Sequence, residues 1–224
     1  MDWKLGPIFP YVAELSRTER PKLCFLATAE GDRAETITAV YGAFAGSGFQ
    51  TSHLSLFPMP NLGDIRAHLL EQDVIWVLGG SVVNLLAVWR AHQLPPILHE
   101  CWRAGVVLGG VSAGSVCWHL GGTTDSYGPN LRPVTDALGW LPYSNGVHYD
   151  AEEQRRPLMH ELVGNGTLPP GHATDNGAAL VYRGTELAEA VADRTGAGAY
   201  TVSRAEDGTV DERPLPVRLL PGSD

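Results

Sequence analysis

Gly105-Val106-Val107-Leu108-Gly109-Gly110-Val111-Ser112-Ala113-Gly114-Ser115-Val116-Cys117-Trp118 is the stretch on which the fold turns. A short apolar run ends in glycines, a serine follows between small residues, and apolar residues resume. This is the pattern of a buried strand, a sharp turn and a helix start. Gly110-Val111-Ser112-Ala113-Gly114 also satisfies the Gly-x-Ser-x-Gly elbow. Glycines suit a turn where chains approach closely, and the strained geometry leaves the serine hydroxyl exposed above the sheet. The N–H groups at a helix start would suit a tetrahedral oxyanion. A strand–turn–helix carrying small residues only for packing reads the same way, so the partners of Ser112 decide the matter.

Upstream, apolar runs alternate with helical patterns. Strands are predicted at residues 22–27, 49–56 and 73–78, and helices at residues 12–20, 33–44, 61–71, 82–89 and 97–103. Residues 1–11, with a Gly and two Pro, read as a loop. Strands alternating with helices predict an α/β fold with a mostly parallel sheet flanked by helices. In such sheets ligands bind at the C-terminal strand ends. Residues 28–32, 79–81 and 110–114 are the loops that meet this description. Residues 121–129 read as a polar loop, 140–143 as an apolar turn, and 152–162 as a charged helix. From Gly171 on, short segments between glycines and aspartates predict a small antiparallel C-terminal extension.

The chain of 224 residues suits a single domain over residues 1–224. A net charge of −9 argues against a general nucleic-acid or anionic-membrane surface. There is no apolar run long enough to span a bilayer, and Met1-Asp2-Trp3-Lys4-Leu5-Gly6 has no signal-peptide core. Cys24, Cys101 and Cys117 lack zinc-like spacing and fit reduced, buried thiols of a cytoplasmic protein. A phosphate-cradling or dinucleotide fingerprint and a His-Glu-x-x-His zinc motif are both missing, so no cofactor and no metal are expected.

A serine nucleophile needs a base, and the base needs an orienting group. Among eight histidines, His148 follows an apolar segment and precedes Tyr149-Asp150, a strand-to-loop position facing a cleft. His68, His92, His99, His119 and His160 fall in helical patterns and read as exposed or capping residues. His53 and His172 read either way. For the orienting acid Asp125, Asp136, Asp150, Glu152 and Asp175 are open. Asp125 stands out in its Thr-Thr-Asp-Ser loop, which also reads as a plain turn. The N–H of Gly80, where a strand ends in two glycines, and that of Ala113 are the candidate oxyanion donors.

These residues resemble the S51 serine peptidases, the peptidase E (aspartyl dipeptidase) and cyanophycinase group of the type 1 glutamine-amidotransferase-like fold. The resemblance runs from about residue 21 to about residue 182. Ser112-Ala113-Gly114-Ser115-Val116-Cys117-Trp118 is similar to the nucleophile block, with Ser112 in the nucleophile position. Leu141-Pro142-Tyr143 followed by Val147-His148-Tyr149 is similar to the base segment, and Thr124-Asp125 to the segment holding the acid. Val77-Leu78-Gly79-Gly80-Ser81 is similar to the glycine-rich strand end, where Gly80 is the oxyanion donor. The family usually has a third glycine and Asn-Thr there, and an additional N-terminal strand ahead of the first helix; this chain has Ser81-Val82 and starts at Met1.

The resemblance implies a cytoplasmic hydrolase, a dipeptidase-like serine protease acting on small peptides, with a homo-oligomer left open. An aspartyl preference would need a positive group, for which Arg90, Arg103, Arg132, Arg155 and Arg156 are candidates. The alternatives are an esterase-like hydrolase and an amidotransferase-like binding domain with a decayed site. Amidotransferase chemistry itself would place a cysteine where Ser112 stands.

Overall fold

The structure, a computed structural model, describes residues 5–223. Residues 1–4 of the N-terminal stretch read for a signal peptide lie outside them. The chain forms two compact units, Met1–Gly114 and Ser115–Asp224.

In the first unit the elements are α1 (Ile8–Ser16), β1 (Lys22–Leu26), α2 (Ala34–Phe44), β2 (Gln50–Leu54), α3 (Ile65–Leu70), β3 (Val74–Val77), α4 (Val82–Ala91), α5 (Leu94–Ala104) and β4 (Val107–Gly110). The four strands form one parallel sheet in the order β2-β1-β3-β4. Strands buried on both faces read as continuous apolar runs rather than alternating ones, and Leu23 to Leu26 do so. Val12 of α1 and Val40 and Phe44 of α2 pack against Leu23, Phe25 and Val74. Leu85, Leu86 and Trp89 of α4 and Leu94, Leu98 and Cys101 of α5 are buried as well. Each such Leu contributes about 1.5–3 kcal/mol of burial.

Helix α1 starts at Ile8, earlier than the pattern predicts, and takes in Pro10. Helix α5 likewise includes Pro95 and Pro96 in its first turn. First-turn N–H groups have no partner within the helix, so a proline there loses no bond. Reading these prolines as breaks placed both helix starts too late.

The chain passes through a single helical turn, α6 (Ala113–Val116), into the second unit. Its elements are β5 (His119–Thr124), β6 (Arg132–Val134), β7 (Leu141–Gly146), α7 (Arg155–Gly164), β8 (Gly171–Thr174), β9 (Ala178–Arg183), β10 (Glu186–Ala192), β11 (Ala199–Arg204), β12 (Val210–Pro214) and β13 (Val217–Leu219). A six-stranded sheet runs β12-β11-β8-β7-β5-β6, with β5, β7 and β8 parallel to one another. A second sheet runs β13-β10-β9. The C-terminal region is antiparallel in its β9–β10 and β11–β12 pairs. The parallel β7–β8 and β10–β13 pairs depart from the expected extension. Met159, Leu162 and Val163 of α7 pack with Ala173 and Val202.

Two segments read as irregular are strands. Gly121-Gly122, which looks like a turn, lies inside β5, paired with β6 and β7. The predicted turn at residues 140–143 opens β7, with Pro142 beside a register shift of the kind that tolerates proline. His119 therefore begins a buried strand rather than standing exposed on a helix.

Candidate active site

In the first unit the elbow forms as the pattern requires. Val111 N–H donates to Val77 O (3.0 Å), and Gly114 N–H donates to Val111 O (2.9 Å), closing a tight turn around Ser112. Ser112 has φ 55°, a left-handed conformation that costs a non-glycine residue about 1–3 kcal/mol. Gly114 is required by close approach: a Cβ there would meet Val77 O at 2.2 Å.

The glycine pair after β3 abuts this turn. A Cβ on Gly79 would stand 3.3 Å from the Cβ of Ser112. Gly80 has φ 125°, and a Cβ on it would meet Ala29 O at 2.5 Å. The following Ser81 has φ −82°, so no third glycine is needed there, and its Oγ caps α4 by accepting from Asn84 N–H (3.2 Å). The departure from the family's glycine run thus leaves the Gly80 turn intact. The structure brings Ser112, Ala113 and the Gly79–Gly80 pair together at the C-terminal ends of β3 and β4.

In the second unit His148 lies two residues beyond β7 and also has φ 55°. Its carbonyl accepts from Ala151 and Glu152 N–H at 3.2 Å each. Its Nδ1 lies 2.6 Å from Oδ1 of Asn176. An amide oxygen only accepts, so Nδ1 carries the proton and Nε2 is left as the basic nitrogen. Parallel pairing explains the meeting. Gly146 is opposite Ala173, so His148 and Asn176 leave neighbouring strand ends side by side.

Asp125, expected to orient His148, points elsewhere. Its carboxylate is 64% exposed and stands 4.0 Å from Arg155. Arg155 is buried: it donates to Thr123 O (2.6 Å) and grips both carboxylate oxygens of Glu152 (2.8 and 3.1 Å). The position on Nδ1 belongs to Asn176, a residue the sequence reading missed. The nearest signal is Asp175-Asn176-Gly177 just past β8, in which the acid Asp175 is the more conspicuous candidate. Asp175 instead accepts from Gly198 N–H (2.8 Å) and Tyr200 OH (3.2 Å).

Asp150 accepts from Asn176 N–H (2.8 Å) and from Arg194 Nη2 (2.6 Å). Its burial would raise its carboxyl, but the Asn176 N–H and Arg194 outweigh this and hold it below the usual carboxylate range. Of the arginines considered for an aspartyl pocket, Arg155 is committed as above. Arg156 pairs with Glu212 (3.2 Å) over the rings of Tyr149 and Tyr200. Arg132 lies over Tyr127.

All three cysteines are buried. Burial pushes the Cys24 thiol up to about 12 and Cys117 well above the ordinary range, which leaves both unreactive as nucleophiles. Among the described residues, no group of His, Cys, Asp or Glu is arranged to hold a metal ion. No helix among them is long and apolar enough to cross a membrane.

The model of peptidase family S51 matches residues 2–190. The uncharacterized peptidase YgaJ of Bacillus subtilis (strain 168) is 44% identical over 210 residues, covering 94% of this chain and 90% of YgaJ. A crystal structure of a peptidase from an acI-B1 actinobacterium superposes with a TM-score of 0.69 at 17% identity, over 95% of this chain and 90% of that one. At that identity the likeness shows the fold, an α/β architecture with a largely parallel core sheet flanked by helices.

Proposed function

The chain belongs to peptidase family S51, and we propose that it hydrolyses amide bonds in small peptides through an acyl-enzyme on Ser112. The observation that carries this reading is the strained elbow. A serine held at φ 55° between glycines, above a parallel sheet, is stabilised only by a surrounding structure that over-determines it.

In the proposed reaction His148 Nε2 takes the proton of Ser112 Oγ as that oxygen bonds to the scissile carbonyl carbon. The N–H groups of Gly80 and Ala113 receive the oxyanion. The C–N bond then breaks, and His148 returns the proton to the leaving amine. Water repeats the sequence on the acyl-enzyme, releasing the acid and restoring Ser112. Throughout, Asn176 Oδ1 holds the Nδ1 proton and so keeps the ring in the competent tautomer. This role, expected of Asp125, we assign to Asn176. The buried thiols fit a reducing, cytoplasmic setting.

A dipeptide panel assayed with the wild-type protein and Ser112→Ala tests the reading. We expect hydrolysis by the wild type and a loss on the order of 10⁴ or more in the variant. Equal rates would refute it.

A further inference from the structure

We infer that Asp150 and Arg194 are positioning residues, a clamp that holds Asn176 against the base. The inference rests on the peptidase reading for what His148 does.

Asn176 is gripped at both ends of its backbone. Its N–H donates to Asp150 Oδ1 (2.8 Å), and its carbonyl accepts from Arg194 Nε (2.8 Å). Arg194 closes the ring by donating through Nη2 to Asp150 Oδ2 (2.6 Å). Asp150 stands two residues from His148, in the turn whose N–H groups return to the His148 carbonyl. The clamp therefore fastens three segments: the turn of the base, the turn of Asn176 and the segment after β10.

The chemistry explains why a clamp matters here. A carboxylate attracts an imidazolium by charge and tolerates some misplacement, because Coulomb attraction falls slowly with distance. An amide carries no net charge and holds Nδ1–H only at hydrogen-bond distance. A His–Asn pair thus depends on placement more than a His–Asp pair does. Stability is a weak alternative reason for the clamp. The Arg194 and Asp150 side chains are 45% and 34% exposed, and exposed ion pairs contribute about 1 kcal/mol or less.

The charged groups at this turn and the segments beside it include Asp150, Glu152, Glu153, Arg155, Asp175, Asp193 and Arg194. Glu152 is held by Arg155 and Asp175 by Gly198 and Tyr200. Opposite substitutions in the clamp should therefore change the charge beside the base with opposite sign.

The test measures kcat, KM and the acid limb of the pH–rate profile for Arg194→Met, Arg194→Lys and Asp150→Asn, with circular dichroism to establish folding. In parallel, ¹⁵N resonances of the His148 ring report its tautomer. All three variants should lose about tenfold to a hundredfold in kcat, with KM within about twofold. Arg194→Met, leaving Asp150 uncompensated, should move the acid limb to higher pH, and Asp150→Asn to lower pH. Arg194→Lys keeps the charge but loses the two-pronged grip, so it should lose kcat without moving the limb. The ring should lose its single Nδ1–H tautomer in each. Folded variants that keep that single tautomer would overturn the clamp, whatever their kcat. The tautomer is read without turnover, so it decides the clamp even if Ser112→Ala shows that the serine reading fails.

Discussion

His148 Nδ1 and Asn176 Oδ1 lie 2.6 Å apart, and because the amide oxygen can only accept, this contact places the ring proton on Nδ1. The proposed base is thus held by a neutral group, while the exposed Asp125 carboxylate stands 4.0 Å from the buried Arg155.

The first prediction separates these two residues. Asn176→Ala removes the acceptor and lets the ring populate the wrong tautomer, so kcat should fall by about a hundredfold or more. Asp125→Ala should cost at least about tenfold less. Steady-state kinetics on one dipeptide decide this. A larger loss for Asp125→Ala would return the orienting role to the acid.

A second prediction concerns the oxyanion turn. Gly80→Ala would drive a Cβ to 2.5 Å from the Ala29 carbonyl, at a φ of 125° that side chains rarely adopt. The loop must shift and carry the Gly80 N–H with it, so kcat should drop by about 10²–10³, with a smaller change in KM. Thermal unfolding of the same variant separates misplacement from loss of the fold. Wild-type kcat would remove Gly80 from the oxyanion site.

Stability should depend on pH through His119. Burial lowers its ring to about 4 from 6.5, partly offset by its bond to the Ser115 carbonyl. The unfolded chain then binds the proton more readily than the folded one between these values. The contribution is present in full above pH 6.5 and is lost as pH falls towards 4, amounting to roughly 3 kcal/mol. His172, which shares the Tyr182 hydroxyl with His119, is also lowered by burial and acts in the same direction. Urea unfolding across this window should show the decline, and His119→Phe should flatten it. An unchanged slope in that variant would contradict the assignment.

How far the fold was legible follows from which signals are local. The elbow at Ser112 and the buried strands β1, β3 and β4 announce themselves as apolar runs ending in glycine or a polar turn. Helix starts at Ile8 and Leu94 were hidden because a first-turn proline looks like a break. Strand β5 was hidden because Gly121-Gly122 looks like a turn, although the pair lies between two sheet partners. Asn176 was invisible for a different reason. Its meeting with His148 depends on the register of β7 against β8, which joins residues 28 positions apart. No local pattern encodes that pairing, and a search restricted to acids passes over an asparagine beside Asp175.

The central claim is that Ser112 is the nucleophile, and a fluorophosphonate probe followed by peptide mass spectrometry tests it most directly. A single phosphonyl adduct should appear on Ser112, absent from Ser112→Ala and formed far more slowly in His148→Ala. A native, folded protein that leaves Ser112 unlabelled, or that labels equally without His148, would contradict the account.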